Sequence, residues 1–122
     1  MLARSKAMPK DTDKPARAFE ELARILEESV KAGADSLELE WEDRDLVAYQ
    51  YVGYTGLGAV PFPPDLQEAV IREIVRRAKL TRNPTGTMLL TLLGQEYEVF
   101  VKQYDSFGES AFTLRLNRKR GK

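Results

Sequence analysis

The stretch ADSLELEWEDRDLVAYQYVG, Ala34 to Gly53, decides the fold. Leu37, Leu39 and Trp41 alternate with Glu38, Glu40 and Glu42. Side chains along a strand point to opposite faces in turn, so this pattern predicts a strand with one dry face and one wet face. EDRD follows as a charged turn, and Leu46 to Val52 returns as the partner strand, with Val47, Tyr49 and Tyr51 alternating with Ala48, Gln50 and Val52. Three carboxylates in a row raise the question of a cation site or a general base. Same-face neighbours on one strand stand roughly 7 Å apart, too far for tight chelation without ligands from elsewhere. The simpler reading is the water-facing side of a hairpin.

Upstream, Pro15 to Lys31 carries a helical period, with Phe19, Leu22, Ile25 or Leu26, and Val30 on one stripe and Glu20, Glu21, Glu27 and Glu28 largely off it. Pro15 suits a first helical turn, where its missing N–H costs nothing. Gly33 suits the stop. Downstream, Gly53, Gly56 and Gly58 loosen the chain. LGAVPF then reads as a short third strand, ended by Pro61 and the Pro63-Pro64 pair. A second helix is expected from Asp65, which would form a capping box with Glu68. Leu66, Val70, Ile74 and Ala78 form its apolar row, widened by Ile71 and Val75. TRNPTG breaks it. Three strands follow, about Thr87 to Leu93, Glu96 to Lys102 and Ser110 to Leu116. Gly94-Gln95 marks a tight hairpin, and YDSFGE a longer turn.

The expected order is α-β-β-(β)-α-β-β-β. It belongs to the α+β class, as an antiparallel sheet of five to six strands with two helices packed on one face. Residues 15–117 would form the single domain, residues 1–14 a flexible tail and residues 118–122 a basic tail. A chain of 122 residues fits one domain with a real core.

Composition narrows the chemistry. Nineteen basic residues offset nineteen acidic ones, so no net field favours nucleic acid or an anionic membrane. No apolar run approaches the ~20 residues of a membrane helix, and the first residues lack the apolar core of a signal peptide. Membrane insertion is therefore not expected, and a cytoplasmic location is. Cys and His are both absent. Disulfides, thiol nucleophiles, Cys/His zinc sites and serine–histidine triads are thereby excluded. GYTGLGAVP has glycines but leads into prolines, not into the helix N-terminus that a phosphate cradle needs. No cofactor is expected and no enzymatic activity. REIVRRAKLTR gives the second helix a basic edge, and Arg72, Arg76 and Arg77 are the candidate partner-binding residues. An exposed strand edge is the other candidate. Tyr49, Tyr51, Tyr54 and Tyr97 are expected along one sheet face, in half-buried cross-strand packing.

The order of these pieces resembles the PAS-like domain that precedes the motor core in type II secretion and type IV pilus-assembly ATPases. ADSLELE stands where that family has its opening strand, after a helix ending in KAGAD. EDRD and YQYVG stand in the places of its charged turn and second strand. VPFPPDLQEAVIREIVRRAKL is similar to its Pro-Pro helix, PTGTMLLTLLGQEYEVFV to the following hairpin, and GESAFTLRL to its closing strand. The resemblance covers about Phe19 to Leu116. It departs from the family where charge matters. The family's histidine on the first strand is Glu38, the arginines and aspartate of its second strand are Ala48, Gln50 and Val52, and two later arginines are Thr87 and Phe100. In the family such arginines reach the nucleotide on the motor, which threonine or phenylalanine cannot do. Arg115 keeps the matching Leu-Arg-Leu, and the chain has no Walker A motif. The resemblance thus implies a free-standing, degenerate copy that acts as a non-catalytic protein-interaction or regulatory module. Its partner would be a secretion or pilus ATPase, a component of the same machine, or a second copy in a homo-oligomer. The alternative it implies is a PAS-like small-molecule sensor, which would need a cavity between helices and sheet.

Overall fold

The structure, a computed structural model, describes residues 13–119. Of the expected tails, residues 1–12 and 120–122 lie outside the described residues. The first helix, α1, spans Lys14–Lys31 with Pro15 in its first turn. Ala18, Leu22, Ile25, Leu26 and Ser29 are its buried positions, spaced three and four apart as one helical face requires. Its end is a Schellman motif: Gly33 takes φ 88°, its N–H donates to the Val30 carbonyl, and the Ala34 N–H donates to the Ser29 carbonyl.

The chain then forms β1 (Ser36–Glu42), β2 (Asp45–Val52) and β3 (Thr55–Pro61). Asp43 and Arg44 make the first turn, as EDRD implies, with Asp43 at φ 59°. Leu39 lies opposite Ala48 and Trp41 opposite Leu46, so the dry residues of both strands share the helix side. The second helix begins differently from the expectation. Pro64–Leu66 form a 3₁₀ turn and α2 spans Gln67–Ala78. Asp65 makes no capping bond there; its carboxylate accepts instead from Arg17 of α1 at 2.9 Å, so no capping box forms. The helix ends in a second Schellman motif, with Lys79 in the left-handed conformation at φ 57°.

The last three strands are β4 (Thr85–Leu92), β5 (Gln95–Ser106) and β6 (Glu109–Arg118). They run longer than the sequence suggests. YDSFGE is not a long turn: only Phe107 and Gly108 turn, both with positive φ, and Asp105 and Ser106 continue the ladder opposite Ser110 and Glu109. Arg118 is likewise the end of β6, opposite Tyr97, rather than part of a tail.

All six strands form one antiparallel sheet, in the order β3-β2-β1-β6-β5-β4. The fold is α+β, with both helices on one face. The core lies between the layers: Leu22, Ile25 and Leu26 from α1, Val70 and Ile74 from α2, and Leu37, Leu39, Phe112 and Leu114 from the central strands are at most 1% exposed. Each such side chain contributes about 1.5–3 kcal/mol by leaving water. Where α2 ends, its backbone comes so close to β4 that a Cβ on Gly86 would lie 1.9 Å from the Ala78 carbonyl oxygen. Only glycine fits there.

Candidate interaction surface

The arginines of α2 divide into two kinds. Glu73 is 5% exposed and accepts from Arg76 at 2.9 Å and from Arg77 at 3.0 Å. Burial pushes its carboxyl up, but the two guanidinium groups outweigh this and hold it below the ordinary range. Arg77 is half-buried and also lies over the Phe19 ring of α1, 3.7 Å from its centre. Arg77 therefore joins the two helices, whereas Arg76 is tied to Glu73 within α2. Arg72 is exposed one turn away from Arg76, beside Lys14 and Pro15. Of the expected basic edge, Arg72 and the outer side of Arg76 face solvent.

The sheet face away from the helices carries the acidic row. Glu38 and Glu40 are half-buried, not fully wet, because tyrosines of neighbouring strands shelter them. The Tyr49 hydroxyl donates to Glu42, and the Tyr104 hydroxyl donates to Glu40 from the far side of β6. The bond to Glu42 pushes the Tyr49 hydroxyl up to about 12, and burial raises Tyr104 in the same direction. Burial also raises Glu38, with the Glu40 charge adding to it. Under this cover Val47 and Ala111 are buried without any helix above them. The four expected tyrosines separate. Tyr49 and Tyr51 line this face, Tyr97 turns into the core and Tyr54 stands fully exposed in the β2–β3 turn. No group of three or more His, Cys, Asp or Glu residues placed to hold a metal occurs among the described residues.

Hollows occur at the rim of the molecule. One of about 450 Å³ lies beside Trp41, Arg44, Glu68, Ile71 and Glu109, and one of about 350 Å³ beside Asp35, Tyr54, Arg115 and Asn117. Between helices and sheet the polar groups pair with each other: Gln50 donates to the Ser29 hydroxyl, which donates to the Ile25 carbonyl, both at 2.8 Å.

The two sheet edges are unlike. Strand β3 is blunted. It contains Gly56 and Gly58, ends on Pro61, and has a register shift where it passes Gln50 and Tyr51 of β2. Prolines and bulges are the usual protections of an edge. Strand β4 has none of them. Its sequence TGTMLLTL contains no charge and no proline, and it pairs with β5 without a break from Thr85 to Leu92. Leu93 and Gly94, at φ 52° and 77°, form a two-residue turn, and Leu92 and Gln95 close it. Such a turn makes its closing pair hydrogen-bonded, and bonded pairs then alternate along the ladder. The N–H and C=O groups of Thr85, Thr87, Leu89 and Thr91 therefore point outward. All four residues are exposed, and Leu89 is 66% exposed beside Phe100 at 42%. This edge could not be singled out from sequence, because strand order alone makes β4 terminal.

The chain matches no protein-family model, and no curated protein is significantly similar to it. No helix among the described residues is long and apolar enough to cross a membrane.

Proposed function

We propose that this chain is a non-catalytic protein-interaction module that binds by strand addition at β4. The observation that carries the reading is the unguarded edge: a regular eight-residue strand with outward backbone groups and an exposed leucine. An extended segment laid along it would satisfy those groups and cover Leu89 and Phe100. The sequence resemblance to the domain that precedes secretion and pilus ATPase motors fits a role in assembly, at a cytoplasmic location. It also leaves three partners in view: such an ATPase, a component of its machine, or a second copy. Arg72 lies on the helix layer and is the alternative contact.

The test is site-specific photo-crosslinking in the native host, with a photoreactive phenylalanine analogue at Leu89, Ala59 or Arg72. Adducts from Leu89 and not from Ala59 on β3 are expected. Adducts from Arg72 alone would move the surface to the helices, and turnover of a substrate by the purified chain would overturn the non-catalytic assignment.

A further inference from the structure

We infer that the occupant of the β4 edge is the β4 edge of a second copy, which gives a twofold dimer with one continuous sheet; this rests on the strand-addition reading above. The first argument is closure. Joining two identical edges about a twofold axis consumes both, whereas joining β4 to β3 would leave a free β4 at every step and grow a filament. In the twofold arrangement only β3 edges remain outside, and those are the ones carrying Pro61 and the bulge. Protection is found only on the edge that such a dimer leaves exposed.

The second argument is register. An axis perpendicular to the sheet keeps both helix layers on one side and places β4 antiparallel to its copy. With Met88 on the axis, Thr87 of one protomer lies opposite Leu89 of its partner, and Thr85 opposite Thr91. These are the residues whose backbone groups point outward, so each forms a hydrogen-bonded pair. No charge meets a like charge across the join, because the strand has none.

The third argument is charge at the two ends. The start of β4 is bordered by Lys79, Arg82 and Lys102, all exposed. Its end is bordered by Glu27, which accepts from the Leu93 N–H, and by Glu96, which has Lys119 at 4.0 Å. Lys119 offsets Glu96, and antiparallel pairing sets Arg82 and Lys102 of one protomer beside Glu27 of its partner at both ends of the join.

The test combines sedimentation of the full chain with residue-resolved amide exchange. A concentration-dependent dimer is expected, with the amides of Thr87, Leu89 and Thr91 becoming as slow to exchange as those of Met88 and Leu90. Leu89→Lys and, separately, Thr87→Pro should each shift the dimer to monomer, weakening association at least tenfold, while Ala59→Lys on β3 leaves it intact. A circular dichroism spectrum unchanged in Leu89→Lys separates lost association from lost folding. A chain that stays monomeric at millimolar concentration overturns the inference, as does a dimer in which those three amides exchange freely. Leu89 crosslinks to a different protein in a monomeric chain would leave the strand-addition reading standing while this inference fell.

Discussion

The Arg77 guanidinium lies 3.7 Å from the centre of the Phe19 ring, and the same side chain donates to the buried Glu73 carboxylate at 3.0 Å. One arginine thus links the two helices and neutralises a charge between them. Arg77→Ala is expected to cost about 1–2 kcal/mol, because both a charge-assisted bond and a cation–ring contact are lost. Arg72→Ala, at an exposed position without such partners, should stay within about 0.5 kcal/mol of the parent. Urea unfolding curves compare the two.

The closeness of α2 and β4 at Gly86 makes a sharper case. Gly86→Ala drives a Cβ into the Ala78 carbonyl, which has no flexible end to move aside. A loss of about 1–3 kcal/mol or more is expected. Gly56→Ala on β3 meets only the edge of the Tyr51 ring at 3.9 Å, which is ordinary contact. There the change should be small, and a gain of about 0.5 kcal/mol from a stiffer unfolded chain would be in keeping. Denaturation midpoints of the two variants should move in opposite directions or differ by most of the Gly86 penalty.

Ser29 and Gln50 form a polar pair inside an apolar layer, at 0% and 7% exposure. Ser29→Ala would leave the Gln50 amide without its acceptor, at a cost of about 1–3 kcal/mol. Ser29→Ala combined with Gln50→Leu removes both polar partners and should recover most of that loss. A double-mutant cycle measured by thermal unfolding checks it.

Two carboxylates are expected to give opposite pH slopes. Glu73 is held low, so its contribution is complete above the ordinary carboxylate value of about 4.3 and is lost as pH falls through its lower folded value. Glu38 is held high, so its charged form is disfavoured in the fold, and stability is lost as pH rises through its folded value. Glu73→Gln should therefore destabilise at pH 7 by an amount that shrinks in acid. Glu38→Gln should stabilise at pH 7 by on the order of 0.5 kcal/mol, with the gain vanishing in acid. Unfolding free energies from pH 3 to 8 read both trends.

Local physics left clear marks in the amino-acid order. The alternation from Leu37 to Trp41, the three- and four-residue spacing from Ala18 to Ser29, Gly33 at a helix stop and Gly94 in a hairpin turn are each determined by neighbours along the chain. The type and sequence of elements, and the dry sides of β1 and of both helices, follow from them. Other features depend on residues far apart in the chain. Asp65 has the look of a helix cap, yet Arg17 holds its carboxylate from 48 positions away. Glu38 and Glu40 have the look of a wet stripe, yet tyrosines from β2 and β5 shelter that stripe. Arg76 and Arg77 have the look of a free basic edge until the buried Glu73 and Phe19 take them up. Above all, composition cannot tell a central strand from a terminal one. TGTMLLTL becomes a bare edge only because β6, and not β4, takes the place beside β1. Periodicity is written between neighbouring residues, whereas strand order is settled by which long-range pairings bury the most surface at once. Hence the folding elements were determined by sequence alone, and the surface open to a partner by the tertiary structure.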